Sequence, residues 1–199
     1  NYISSSAGTA KIAFAEIELL AASFNAHFKD LPKGSRIAVF GHKNEKLPLL
    51  AYSIMRNGFV YVPINNAWPS ERILKTLAIA DCSDLILSDN SEIEQLPDFV
   101  RLHRTDFSAE ARHTETYRPS FEDEAYLLFT SGSSGIPKGV SLSHGNLSSF
   151  LDACGEYCHS DNYDLIFSFT NIGFDLSIFE NLYGLYIDKA IHVIQKPEQ

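Results

Sequence analysis

Short apolar runs alternate with helical stripes along most of this chain, and that alternation limits its fold more than any other feature. Arg36 to Phe40, Phe59 to Ile64 and Leu85 to Leu87 are runs of strand length, the second rich in β-formers. Phe14, Ile17, Leu20, Ala21, Phe24 and Phe28 fall on one helical face. So do Leu47, Leu50, Ala51, Ile54 and Met55, and after them Ile73, Leu74 and Leu77. Leu165 to Phe169, Ser177 to Leu185 and Ala190 to Ile194 repeat the order strand, helix, strand. The pattern predicts an α/β fold: a mixed, mostly parallel sheet flanked by helices.

Punctuation residues refine the pattern. Pro48 is tolerable only in the first turn of its helix, and Gly58 is placed to cap the C-terminus. Ser70 reads as an N-cap after Pro69. Ser143 reads as the N-cap of a helix whose stripe is Leu147, Phe150, Leu151, Cys154 and Cys158, turned toward a core. Residues 88 to 124 are polar and weakly periodic, and read as a surface excursion with one short strand near Phe99 to Leu102. His103 and His113 lie there, with nothing nearby at ligand spacing. Ala125 to Thr130 resumes the sheet.

Charge and cysteine usage exclude several classes. The formal net charge of -9 disfavours nucleic acid and anionic membrane as partners. No window approaches the ~18 apolar residues of a membrane span. The N-terminus has no basic n-region followed by an apolar h-region, so no secretion signal is visible. Three cysteines, an odd number, point to a reducing, cytoplasmic compartment. Cys154 and Cys158 read as buried thiols in the stripe, and Cys82 as a loop or strand-edge residue.

The chemistry is concentrated between Phe129 and Val140, FTSGSSGIPKGV. An apolar run delivers the chain into three glycines, four hydroxyl residues and a lysine, and another strand-like run follows. Such a loop can turn several backbone N–H groups toward one point and make a nest for a polyanion. Lys138 adds a mobile point charge suited to phosphate. The loop is not a Walker A motif, because Pro137 stands at the second glycine position and Gly139 follows the lysine. That argues against a P-loop phosphotransferase. Nor is it the dinucleotide G-x-G-x-x-G.

The loop does resemble the phosphate loop of the adenylate-forming, AMP-binding superfamily, written [YF]-T-S-G-[ST]-[ST]-G-x-P-K-G, at every position from Phe129 to Gly139. Gly34 to Asn57 resembles that group's first core strand and helix. Gly58 to Arg72 resembles its "aGaaYvPldpxyPxeR" segment, and Gly173 to Glu180, GFDLSIFE, its "sFDxSvxE" segment. The resemblance is closest to amino-acid adenylation domains of peptide synthetases and to D-alanine–carrier protein ligases. It implies ATP as co-substrate, with Thr130, Ser131, Gly132, Ser133, Ser134, Gly135 and Lys138 on its β- and γ-phosphates. It implies an α-ammonium partner in Asp175, with Phe174, Leu176 and Phe179 beside it in the substrate site. The same aspartate can instead cap the helix that starts near Ser177.

Further expectations follow from the resemblance. The substrate is a small molecule, an amino acid or other carboxylate, activated as an acyl-adenylate with release of pyrophosphate, and passed to the phosphopantetheine thiol of a carrier protein. Acyl- or aryl-CoA ligase and non-catalytic nucleotide-binding fragment are the alternatives. Superfamily members are much longer than 199 residues. Residues 1–199 then form part of the N-terminal subdomain, with the C-terminal portion, the Mg2+ ligands and the catalytic lysine outside this chain, which alone is expected to be inactive.

Overall fold

A computed structural model of the protein describes residues 2–6, 11–93, 96–104, 117–130, 137–158 and 162–195. In chain order the elements are β1 (Tyr2–Ser5), β2 (Lys11–Ala13), α1 (Phe14–His27), β3 (Arg36–Phe40), α2 (Lys46–Arg56) and β4 (Val60–Pro63). Next come α3 (Ser70–Ile79), β5 (Asp84–Leu87), β6 (Arg101–Arg104), β7 (Glu124–Thr130), β8 (Lys138–Ser143) and α4 (His144–Cys158). β9 (Leu165–Ser168), α5 (Leu176–Tyr186) and β10 (Ala190–Val193) follow.

The strands form two sheets. One has the order β6-β5-β3-β4-β7-β8, the other β2-β1-β10-β9. All neighbours are parallel except β1·β2 and β7·β8. The mixed, mostly parallel α/β architecture is therefore as the alternation predicts, but divided between two sheets. The division turns on β1, which the sequence pattern does not announce: it pairs Ile3 with Ile191 on β10 and Ile12 on β2.

The inner strands of the larger sheet, β3, β4, β5 and most of β7, are buried on both faces, while β6 and β8 at its edges are largely exposed. Along β3, Ile37 and Val39 enter one apolar cluster with Phe24, Leu50, Ile54 and Leu182, while Ala38 and Phe40 enter a second with Ile73 and Leu77. This explains why its strands read as continuous apolar runs rather than alternating ones. α2 and α5 pack on each other. α2 also contacts β4 of the larger sheet, and α5 contacts β9 and β10 of the smaller. The two helices thus form the layer between the sheets. A third cluster joins Leu49 of α2 to Ile3, Ile17, Ile191 and Val193.

Several local expectations are corrected. Pro69, not Ser70, is the N-cap of α3, because its carbonyl receives the Arg72 and Ile73 amides at 2.9 and 3.1 Å. β6 begins two residues later than the expected strand and leaves Phe99 exposed. In α4, Leu147 and Leu151 are buried, but Phe150 and Cys158 are exposed, since only a narrow face of the helix meets the core. Cys82 is fully buried in the short connection before β5, and burial pushes its thiol up to about 12. Ser143 does cap α4, accepting from the Asn146 amide at 3.2 Å, while Asn146 Oδ1 accepts from the Ser143 amide. Among the described residues no helix is long and apolar enough to cross a membrane.

Gly58 ends α2 with φ +75°, and its N–H donates to Met55 O at 3.0 Å. A Cβ there meets the Tyr117 ring at 2.2 Å, whereas a Cβ on Gly34, at φ +83°, meets nothing within 4 Å. Gly34→Ala should therefore cost only backbone strain, about 1 kcal/mol, and Gly58→Ala at least about 2 kcal/mol. Urea denaturation of the two variants checks the ordering.

Candidate functional site

β7 delivers the chain to the phosphate-loop segment, and β8 receives it. The two strands are antiparallel, with Thr130 opposite Lys138 at the mouth. β7 also runs parallel to β4, in register at Tyr61↔Tyr126, so the mouth opens at the carboxyl ends of the parallel strands. Thr130 and Lys138 are both exposed there. Among the described residues Lys138 forms no ion pair, which leaves its ammonium available to an anion. Ser131, Gly132, Ser133, Ser134 and Gly135 lie outside the described residues.

The second group of expected site residues surrounds the N-terminus of α5. Asp175 is its N-cap, and the carboxylate accepts from the Leu176 amide at 2.8 Å. The capping role is thus real. The charge also lies at the positive end of the helix dipole. Phe174, Asp175 and Leu176 are exposed, and Phe179 is half-buried. The Phe179 ring stacks on Tyr183, with centroids 4.7 Å apart, and meets Phe150 edge-on at 6.5 Å.

Asp175 stands close to β7. Burial and the Asp175 charge together raise the phenol of Tyr126 above its ordinary range. Tyr126 precedes Thr130 by four residues, which is about 13 Å along a strand. Thr130 at the mouth and Tyr126, which feels the Asp175 charge, are thus two points on one strand.

A buried ion pair that sequence reasoning missed holds the segment between β9 and α5. Glu180 is 2% exposed, and Lys43 Nζ donates to its Oε2 at 2.8 Å. The same Oε2 accepts the Phe169 and Thr170 amides at 2.9 and 2.8 Å, and Oε1 accepts the Thr170 hydroxyl. Lys43 also donates to Thr170 O at 2.6 Å. Burial lowers the Lys43 pKa, and the hydrogen bond to Glu180 opposes that shift. The available signal was an acid between Ile178 and Leu182, both of which turn inward on α5. A cavity of about 450 Å³ opens beside the pair, lined by Gly41, His42, Lys43, Asn66, Phe169 and Asn171 among others. These residues follow β3, β4 and β9, so the cavity lies outside the carboxyl ends of strands from both sheets, where open α/β sheets bind ligands.

At the opposite, amino edge, tertiary structure gives His103 partners that spacing did not reveal. His103 Nε2 bonds to Asp84 Oδ1 at 2.8 Å, and His103 Nδ1 to His27 Nε2 at 3.0 Å. Arg101 and Ser83 complete the shell of Asp84. Among the described residues no three His, Cys, Asp or Glu side chains group to hold a metal ion. His113 lies outside the described residues.

Burial and the neighbouring His103 hold the His27 pKa below its ordinary value of 6.5, against a smaller raising effect of Asp84. The unfolded chain then takes up this proton first as pH falls, so the His27 contribution is present above 6.5 and lost below it. The urea midpoint should drop between pH 7 and 5, and His27→Gln should flatten part of that slope.

The profile of the AMP-binding enzyme family matches residues 3–199. The chain belongs to that family. L-proline--[L-prolyl-carrier protein] ligase of Pseudomonas fluorescens is 31% identical over 177 residues, covering 81% of this chain and 35% of the relative. D-alanine--D-alanyl carrier protein ligase of Lactiplantibacillus plantarum is 28% identical over 197 residues, covering 92% and 37%. The chain thus spans little more than a third of either ligase. The solved structure of VinN with L-aspartate shares the fold at a TM-score of 0.84 with 19% identity, covering 98% of this chain and 53% of VinN.

Proposed function

We propose that these 199 residues are the N-terminal part of a ligase that activates an amino acid with ATP. The substrate carboxylate attacks the α-phosphorus, the α–β phosphoanhydride bond breaks, and aminoacyl-adenylate and pyrophosphate form. A carrier-protein phosphopantetheine thiol then displaces AMP. The observation that carries this reading is the exposed Lys138, opposite Thr130 at the carboxyl edge and without an ion pair among the described residues. Pyrophosphate leaves at this mouth, and Asp175 holds the substrate amine. The relatives named for charging proline or D-alanine onto a carrier protein support the acceptor.

In this reading Thr130, the Ser131 to Gly135 segment and Lys138 hold the β- and γ-phosphates. They act on the leaving group, where fixed donors matter most as charge develops. Asp175 pairs with the α-ammonium. Phe174, Leu176 and Phe179 offer an apolar wall, which suits a neutral side chain of modest size. Mg2+ bound with ATP would supply charge neutralisation on the phosphates, from ligands outside this chain. Contacts to adenine and ribose are likewise assigned to sequence beyond residue 199.

Lys138→Ala in the full enzyme should lower kcat/KM for ATP by about 10- to 100-fold, with KM for the amino acid little changed. Steady-state ATP–pyrophosphate exchange reads both. Unaltered ATP kinetics would remove this loop from the site.

Asp175→Asn keeps the shape of the cap and removes its charge. Activation of the cognate amino acid should fall by about tenfold or more, which is at least ~1.4 kcal/mol, while the des-amino acid loses much less. The bond from the Leu176 amide to Asp175 favours a second reading, in which this residue only caps α5 and the enzyme is an acyl- or aryl-CoA ligase. Equal loss for both substrates selects that reading.

A further inference from the structure

We infer that Lys43, through its buried pair with Glu180, is a positioning residue that fixes the carboxylate-substrate side of the site without touching substrate. The inference rests on the placement of that side at the N-terminus of α5. The segment from Phe169 to Phe174 leads straight into Asp175, and its geometry is set from two directions. Glu180, from within α5, takes the Phe169 and Thr170 amides and the Thr170 hydroxyl. Lys43, from the loop after β3, takes the Thr170 carbonyl and closes onto Glu180. The pair therefore ties the β9–α5 segment to the larger sheet. Its side chains are 8% and 3% exposed, so water does not compete for these bonds.

A second clasp runs beside the first. Asn171 Nδ2 donates to Asn66 Oδ1 at 3.0 Å, from the loop after β4, and Asn171 Oδ1 accepts the Gly173 amide at 3.1 Å. The Ser177 hydroxyl bonds to Ile172 O and Phe174 O at 2.9 and 2.6 Å. Backbone groups of Thr170, Ile172, Gly173 and Phe174 are thus all held. A buried ion pair contributes little net stability compared with apolar residues of the same volume, because both charges lose their water. What it does supply is directional constraint on whatever it binds, and here it binds the segment that carries Phe174 and Asp175. Two of the three Lys43 ammonium donors are already committed to Thr170 and Glu180.

The test uses the full enzyme with ATP–pyrophosphate exchange and thermal unfolding. Lys43→Met keeps the apolar stem and removes the ammonium. KM for the carboxylate substrate should rise about tenfold or more, for amino acid and des-amino analogue alike, with KM for ATP within about twofold. The double variant Lys43→Met with Glu180→Gln removes the stranded charge. Its Tm should return toward that of the parent while the acid-substrate KM stays raised. Should Lys43→Met not fold, the double variant alone carries the test. Parallel rises in both KM values, no rise in either, or recovery of KM together with Tm each overturn the inference. Asp175→Asn run alongside separates the two ideas. It reports on the difference between amino acid and des-amino acid, whereas Lys43→Met reports on acid against ATP.

Discussion

Burial of β3, β4 and β5 on both faces is the constraint from which the rest of the molecule follows. Strands with apolar side chains on both sides need a helical layer over each face. Parallel crossovers meet that need, and they bring every strand out at the same end. The loops after β3, β4 and β9 consequently gather at one edge, although they are far apart in the chain. Lys43, Asn66, Thr170 and Asn171 owe their proximity to this.

The two edges of the larger sheet differ in character. Its amino edge is stapled by charge. Arg36, the first residue of β3, donates to both oxygens of Glu124, the first residue of β7, at 3.0 to 3.1 Å. Arg101 and His103 close on Asp84 at the start of β5. The carboxyl edge has fixed partners too, in Lys43–Glu180 and His42–Asp89, but among the described residues the Lys138 ammonium at the hairpin mouth forms no ion pair. Charged pairs hold strand register at the amino edge, and at the carboxyl edge the hairpin mouth remains open.

Buried strands and amphipathic helices were legible in the sequence because each leaves a periodic apolar trace. β1 was not. Tyr2–Ser5 has a single fully buried apolar residue, Ile3, and its Ser4 hydroxyl pairs with His192 across the whole chain. The split into two sheets depends on that strand, so it was hidden as well. At the site, the run from Phe129 to Gly139 was legible because close packing of glycine, hydroxyl and lysine residues is chemically unusual. Lys43 and Glu180 are separated by 137 positions, and His27 and His103 by 76. No local pattern encodes such pairs. The sequence marked Asp175 as a cap or an ammonium partner, but its exposure was not legible, because side-chain burial depends on what packs above a helix end.

The hairpin character of β7 and β8 has an electrostatic consequence. In a Walker-type site the phosphates sit on a helix N-terminus, and the aligned peptide dipoles of that helix add a permanent field. Here the chain leaving Thr130 returns in an antiparallel strand. The next helix, α4, begins only after β8, about 20 Å of strand away. Among the described residues, an anion at the mouth is therefore met by the ammonium of Lys138 rather than by the N-terminus of the helix that follows the hairpin. Exposed point charges are screened over about 8–10 Å at physiological ionic strength, so salt weakens their hold on a polyanion. A polyanion held by one exposed ammonium at such a mouth would therefore be released more readily as ionic strength rises.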